Sequence, residues 1–142
     1  MDLRERYKAT TLRILGQFQL LEFALKHYIG FSYKLIYKQL DGALHFGYSI
    51  EDVENHPLER LLAIFAKLNG NVGLQKQLNT LCKKRNHVAH KSLLVSFRGG
   101  SSSELEKADE AFFYLEDEVQ ECLQAVLAEL RSLKETLHGS AA

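Results

Sequence analysis

The strongest constraint on the fold is an apolar repeat in the last third of the sequence. Its members recur at alternating steps of three and four residues, with one extra step of four. Because an α-helix turns once every 3.6 residues, this spacing places them on one side of a long helix. A period near 3.5 that is sustained this far is typical of helices that supercoil in a bundle. The repeat comprises Leu105, Ala108, Phe112, Leu115, Val119, Cys122, Val126, Leu130, Leu133 and Leu137.

Three further segments have helical spacing, and the first of them contains Gly30 as a candidate bend. The β-like run LLVSF at 93–97 is too short to predict a strand and lies beside the linker RGGSSS. We therefore predict one all-α domain over residues 1–142. Its expected architecture is an antiparallel four-helix bundle with two long helices and two or more shorter ones. The helices are expected at 3–38, at 58–68, from about 72 to about 90, and from the serines at 101–103 to about 137.

Charge and composition narrow the functional classes. Lysine and arginine total 18, as do aspartate and glutamate, so the formal net charge is zero. No global basic field attracts nucleic acid, and any such binding depends on a local patch. We expect a cytoplasmic protein without a signal peptide or membrane span, because no sufficiently long apolar run occurs. Cys82 and Cys122 fall within apolar helical patterns and are expected to be buried and reduced.

The run KKRNHVAH at 83–90 interrupts this apolar regularity. Arg85 occupies the stripe of its helix where Leu or Val is expected. An unpaired buried guanidinium is costly, and arginine cannot lose its proton. Arg85 therefore needs a carboxylate partner, or its position is not a dry core. The candidate partner is Glu22, in an apolar run of the first helix; the alternative is a surface pair of Glu22 with Lys26.

A helical wheel groups the motif further. At about 100° per residue, one continuous sector contains Arg85, Ala89, Cys82, Asn86 and His90. The small Ala89 lets a substrate approach, with Arg85 and His90 on its two sides. Arginine offers a planar donor fork for phosphate oxygens, and histidine can transfer a proton near neutral pH. Asn86 can orient His90 or bind a phosphate oxygen.

Three plainer interpretations compete with phosphoryl chemistry. His87 and His90 could bind a metal, but no second ligand pair accompanies them and His87 points away from Cys82, so we expect no metal and no cofactor. Cys82 as a nucleophile is disfavoured by its core position. The Arg–His spacing could also arise by chance, in which case Arg85 forms a structural ion pair with Glu22.

The run RNHVAH resembles the Arg-Asn-x-x-x-His motif of HEPN domains (higher eukaryotes and prokaryotes nucleotide-binding). These domains are small all-α bundles with two long helices and two or more shorter ones. The first-helix run GQFQLLEFALKHYI is also similar to the opening helix of that family, and Glu22 matches its acidic residue. The resemblance implies metal-independent RNA cleavage by 2′-OH attack, leaving a 2′,3′-cyclic phosphate and a 5′-OH. It implies that Arg85 and His90 are catalytic, with Asn86 and Glu22 in support.

The resemblance also implies partners. The site of the family usually forms between two protomers, and many members are toxins or phage-defence effectors, so RNA, a second copy and an antitoxin protein are the implied partners. One branch carries a tyrosine two residues after the histidine as a target of nucleotide addition, which Ser92 here does not support. Some members are inactive, so the second hypothesis is a helical module that binds a nucleotide or a protein. Candidate contacts to the RNA backbone are Lys83, Lys84, Lys91 and Arg98.

Overall fold

The computed structural model describes residues 2–98 and 102–139, without the side chains of 87–98, 102–105, 108 and 109. No strand occurs in this part of the chain. The prediction of an all-α fold with two long and two shorter helices is confirmed. A short 3-10 helix lies in the first connection. The α-helices are α1 (Leu3–Leu40), α2 (Leu58–Leu68), α3 (Val72–Arg98) and α4 (Ser102–Gly139), and the 3-10 helix is Ile50–Val53.

The four helices form a closed ring, in which α1 and α3 each pack against both α2 and α4. The two long helices run in the same direction. The ring of Tyr7 stacks on Phe112 with centroids 5.1 Å apart, and far along both helices Lys134 Nζ lies 4.9 Å from the ring centroid of Phe31. The prediction of a wholly antiparallel bundle is therefore wrong for the α1–α4 pair.

The connection between α1 and α2, residues 41–57, explains this direction. Asp41 ends α1 in the left-handed region at φ 47°, and Gly42 follows at φ 78°, so the chain reverses at once. Lys26 Nζ then donates to the backbone carbonyl of Glu54. The connection thus runs back along more than a third of α1 before α2 begins. As a result α3 alone runs opposite to the other three helices, and the antiparallel prediction is wrong for the α1–α2 pair as well.

Gly30 gives this returning connection its space. The α1 helix continues through Gly30 without interruption. A Cβ atom at this position would lie 2.9 Å from Cδ1 of Ile50, so glycine lets the 3-10 helix lie close against α1. A capping box between Ser49 and Asp52 fixes the start of that 3-10 helix.

The apolar stripes predicted from the sequence form the core. The α1 stripe is fully buried, as is the α4 repeat from Phe112 onward apart from the partly buried Leu133. The first two members of that repeat have side chains outside the described part of the structure. Fully burying one such apolar side chain stabilises the folded state by roughly 1.5–3 kcal/mol relative to leaving it exposed. Cys82 and Cys122 are buried free thiols, as predicted. The α1 stripe comprises Ile14, Phe18, Leu21, Leu25 and Tyr28.

A buried amide fixes the turn between α2 and α3. Asn69, the C-cap of α2, donates from Nδ2 to the Tyr28 hydroxyl at 3.0 Å and to Glu129 Oε2 at 3.1 Å. Its Oδ1 accepts from the backbone N–H of Asn71 at 2.8 Å. Asn71 Nδ2 in turn donates to Glu129 Oε1 at 2.8 Å. These bonds tie the turn to α1 and α4, and so they set where α3 carries its polar motif.

Candidate functional site

The motif on α3 lies beside α1. Arg85 Nη2 is 3.9 Å from Glu22 Oε1, and the two side chains are 32% and 23% exposed. The guanidinium carbon of Arg85 lies 5.7 Å from the ring centroid of Phe18. Lys26, the alternative partner of Glu22, donates instead to the backbone carbonyl of Glu54. The structure therefore places Arg85 beside Glu22, the carboxylate partner that the sequence predicted.

The contact between Arg85 and Glu22 is long for an ion pair. Charge-assisted N–H···O bonds are typically about 2.7–2.9 Å, whereas this separation is 3.9 Å. A guanidinium has five N–H donors, and this contact involves only one of its nitrogens. Since about a third of the side chain also meets solvent, Arg85 keeps the capacity to bind a second anion.

A second carboxylate, Glu59 in the first turn of α2, joins the cluster and was not predicted from the sequence. Asn86 Nδ2 donates to Glu59 Oε1 at 2.9 Å. This bond is the main reason why the pKa of Glu59 lies below its usual value, with smaller contributions from a backbone hydrogen bond, Cys82 and Arg85. The Asn86 amide that the wheel offered to His90 or to phosphate is thus engaged with α2.

The sequence alone could not identify Glu59 as part of this site. Its position in the sequence is that of an ordinary acidic residue at a helix N-terminus, where it favours the helix dipole. Its pairing with Asn86 depends on the antiparallel packing of α2 on α3. We call Glu22, Glu59, Arg85 and Asn86 the arginine cluster.

Cys82 lies one turn before the arginine cluster on α3. Burial raises the pKa of its thiol, and the nearby charge of Glu59 adds to that effect. The thiol therefore stays protonated near neutral pH and is a weak nucleophile. Among the side chains that the structure describes, no group of three or more His, Cys, Asp or Glu residues is placed to hold a metal ion.

Two of the predicted RNA contacts have described side chains. Lys83 is exposed. Lys84 Nζ lies 2.9 Å from both carboxylate oxygens of Glu118 on α4. The two side chains of this pair are 48% and 38% exposed, and such surface pairs contribute only about 0–1 kcal/mol. A phosphate can therefore compete with Glu118 for Lys84.

The remaining motif residues lie further along α3. His90 follows Arg85 by five residues, about 7.5 Å along the helix axis, and the backbone is helical through this segment. Its side chain lies outside the described residues, as do those of Ala89, Lys91 and Arg98. Because the helix is continuous, the angular order that the wheel gives to these positions holds.

Charge is distributed unevenly between the helices, which the zero net charge concealed. The α3 segment contains six lysines and arginines and no acidic residue, whereas residues 102–121 of α4 contain eight acidic residues and one lysine. Lys84 pairs with Glu118 across this boundary. The basic surface of α3 is therefore partly neutralised on the side that faces α4.

An exposed apolar face borders the arginine cluster on α1. Leu12, Leu15, Leu20 and Phe23 are 70%, 43%, 56% and 61% exposed. Leu15 and Glu22 are seven residues apart and so lie on the same side of the helix. We call these four apolar residues the α1 apolar face. Exposed apolar surface therefore lies close to the Arg85–Glu22 pair.

Fold and site together define a class only: an all-helical protein with an arginine–carboxylate cluster beside an exposed apolar face. Comparison with protein-family models, with curated proteins and with solved structures finds no match to this chain. No helix within the described ranges combines the length and apolar character needed to cross a membrane. A function for this chain has to be argued from its own residues.

Proposed function

We propose that this chain is a metal-independent endoribonuclease of HEPN type that acts as a homodimer. The observation that carries the proposal is the Arg85 guanidinium, which is one third exposed, makes a long ion-pair contact to Glu22 and lies over the ring of Phe18. A bundle that needed only a core would place an apolar side chain here, because a charged group on the stripe costs free energy. A partly open guanidinium can bind a phosphate, and His90 follows Arg85 by five residues on the same helix.

In the proposed reaction the ribose 2′-OH attacks the adjacent phosphorus and the 5′-oxygen leaves. The products are a 2′,3′-cyclic phosphate end and a 5′-OH end. Arg85 binds the phosphate oxygens and stabilises the negative charge that builds on them. His90 transfers the proton of the 2′-OH or of the leaving oxygen. Glu22 is a positioning residue that holds the guanidinium until phosphate takes its place.

The homodimer is proposed from the α1 apolar face. Its four side chains expose apolar surface on the order of 400 Å², within the range of the largest apolar patch on a monomer, which is often functional. Two such faces and a polar rim reach the roughly 1,000 Å² that a specific interface needs. In a two-fold dimer the same face of each copy meets its equivalent. Because this face borders Glu22, both arginine clusters would then line one cleft.

Cleavage of total RNA and tRNA in EDTA, at a concentration where the protein is dimeric, tests the proposal. Arg85→Ala and His90→Ala should each lower the cleavage rate by about 100-fold or more and retain the helical circular-dichroism spectrum. Lys76→Ala is the matched control, because Lys76 is an exposed cation on the same helix. Wild-type protein that leaves both RNAs intact, or Lys76→Ala with the same loss, would overturn the assignment.

The dimer has a separate test. Phe23→Asp places a charge in the α1 apolar face and should give a monomer with little cleavage activity. Val72→Asp is the control, since Val72 is 59% exposed but lies at the start of α3. Sedimentation or light scattering gives the oligomeric state. A wild-type monomer that cleaves RNA would refute the shared cleft.

The Asn86–Glu59 bond favours a second candidate. In it the chain is a catalytically inactive HEPN-like module that binds a nucleotide or a protein partner, and the arginine cluster serves to fasten α3 to α1 and α2. Arg85→Ala would then lower the free energy of unfolding, while neither wild type nor variant cleaves RNA.

The resemblance to HEPN toxins and phage-defence effectors adds a proposal about biology. Expression of the active chain should slow bacterial growth, and the His90→Ala variant should not. Co-expression of an antitoxin protein encoded beside it would relieve the inhibition. Equal growth with the active and the His90→Ala chain would count against the toxin role.

A further inference from the structure

A second surface with the features of a binding site lies at the far end of α1. Four aromatic rings, from Tyr33, Tyr37, Phe46 and Tyr48, contact one another with centroids 5.7–6.2 Å apart. Tyr37 and Tyr48 are 58% and 36% exposed. The rings therefore support one another while part of their surface remains available to a ligand. We call these four residues the aromatic cluster.

A cleft of about 520 Å³ opens beside the aromatic cluster. This volume lies within the range of about 300–1,000 Å³ that is typical of small-ligand sites. Tyr37 and Phe46 form its aromatic wall, and Lys38, Asp41 and His45 give it charged and polar groups. The cleft thus joins a flat aromatic surface to a cation, an imidazole and a carboxylate.

The backbone of this connection has a defined shape. Asp41 is the one non-glycine residue with positive φ in the part of the chain that the structure describes, a left-handed conformation that aspartate adopts more readily than most residues. A Cβ atom at Gly47 would lie 3.3 Å from His45 Nε2, so the glycine lets the imidazole lie close to the chain. The local conformation places Asp41 and His45 on the same cleft as Tyr37.

We propose that this cleft binds an unpaired nucleotide of single-stranded RNA. The base stacks on the exposed ring of Tyr37, as bases do on aromatic platforms. Lys38 and His45 contact the phosphate. Asp41 accepts a hydrogen bond from an N–H group on the edge of the base.

Other ligand classes fit the lining less well. A simple organic cation would meet the Lys38 ammonium as well as the Asp41 carboxylate, so that attraction and repulsion offset each other. An apolar peptide would remove water from Lys38 and Asp41 without offering either of them an opposite charge. A nucleotide combines a flat aromatic ring, N–H donors and a negative charge, which match the aromatic, acidic and basic groups of the lining.

The site is distinct from the arginine cluster. Tyr37 lies 15 residues beyond Glu22 on the same helix, about 22 Å away along its axis. The inference stands without the proposed cleavage, since a strand can bind here whether or not it is cut. If the chain is a nuclease, the cleft holds a flank of the strand that passes Arg85.

The test is fluorescence anisotropy with a short labelled single-stranded 2′-O-methyl RNA, which cannot undergo 2′-OH attack, at low salt with the full chain. Tyr37→Ala should weaken binding about 10-fold or more, because stacking of one base contributes that much. Tyr37→Phe should bind within about twofold of wild type, because it keeps the ring. Lys38→Gln should weaken binding and reduce its dependence on salt. Tyr114→Ala is the matched control, since Tyr114 is 62% exposed on α4.

Clear results would overturn the inference. Tyr37→Ala binding as tightly as wild type would do so, as would an equal loss in Tyr114→Ala. Preferential binding of a duplex of the same sequence would exclude a stacked, unpaired base. Choline that competes with the oligonucleotide at low millimolar concentration, when potassium at equal ionic strength does not, would identify a cation site instead. Because no cleavage is measured, these outcomes are separate from the fate of the nuclease proposal.

Discussion

The energy of the Arg85–Glu22 contact distinguishes a guanidinium held for structure from one left available for phosphate. A double-mutant cycle with Arg85→Gln and Glu22→Gln measures that energy, because both changes remove charge while keeping a polar side chain. The cycle matters here because Glu59 also lies near Arg85. Single variants would mix the effects of the two carboxylates, whereas the coupling term isolates Glu22.

The expected magnitude follows from the geometry. Two unit charges 3.9 Å apart attract by about 4 kcal/mol at an effective dielectric constant of 20 and by about 1 kcal/mol in bulk water. Desolvation of both groups opposes the attraction, and solvent still reaches 32% of Arg85 and 23% of Glu22. Exposed pairs contribute about 0.2–1 kcal/mol. We therefore expect a coupling energy of about 1 kcal/mol.

Urea unfolding followed by circular dichroism at pH 7, with the four proteins of the cycle, measures this value. Arg13 and Glu116, 3.1 Å apart with side chains 59% and 22% exposed, give a reference cycle on the α1–α4 interface. Its coupling energy should likewise lie within about 0.2–1 kcal/mol. A coupling of about 3 kcal/mol or more, typical of a broken buried pair, would refute the idea that phosphate can take the place of Glu22.

Three further predictions concern stability. Asn69→Ala should lower the free energy of unfolding by about 2 kcal/mol, because the amide hydrogen-bonds to both Tyr28 and Glu129. Urea unfolding measures this loss, and the exposed control Asn79→Ala should lose less than about 0.5 kcal/mol. Burial raises the pKa of Cys122 from 9.0 to about 11, so its stabilising effect is complete below pH 9 and is lost as pH rises toward 11. Between pH 8 and 11 the free energy of unfolding of the wild type should fall by on the order of 2 kcal/mol more than that of Cys122→Ala. Parallel pH dependence in the two proteins would refute this prediction. Because the pKa of Glu59 is lowered from 4.5, the Glu59 carboxylate stabilises the fold above that pH, and this stabilisation is lost as the pH falls below it. Glu59→Gln should therefore have a lower free energy of unfolding than the wild type at pH 6 but not in acid. A difference that persists at pH 2 would contradict this.

The helices could be predicted because their signal is local. Apolar residues spaced at three and four appear in the sequence whatever the rest of the chain does. The direction of each helix could not be predicted in this way, because periodicity is the same when read from either end. It depends on the return of residues 41–57 along α1, which begins at Asp41 and Gly42. Neither residue indicates by its type how far the chain will run back.

The candidate site likewise contains residues that the sequence could predict and one that it could not. The pairing of Arg85 with Glu22 could be predicted, because each is a charged residue at a position where the sequence pattern favours an apolar one. Glu59 carried no such mismatch, since an acidic residue is ordinary in the first turn of a helix. Its place beside Asn86 follows from how α2 packs on α3, which requires the tertiary structure.

The position of the α1 apolar face gives the arginine cluster a further property under the proposed function. If a second copy covers that face, it removes water from beside Arg85 and Glu22, and the effective dielectric constant there falls. Every charge interaction then strengthens, both that of the guanidinium with Glu22 and that with an incoming phosphate. A phosphate accepts several N–H bonds at once, whereas Glu22 stands at 3.9 Å, so the phosphate gains more from the change. Dimerisation would therefore favour RNA over Glu22 at Arg85 without moving any residue of α3.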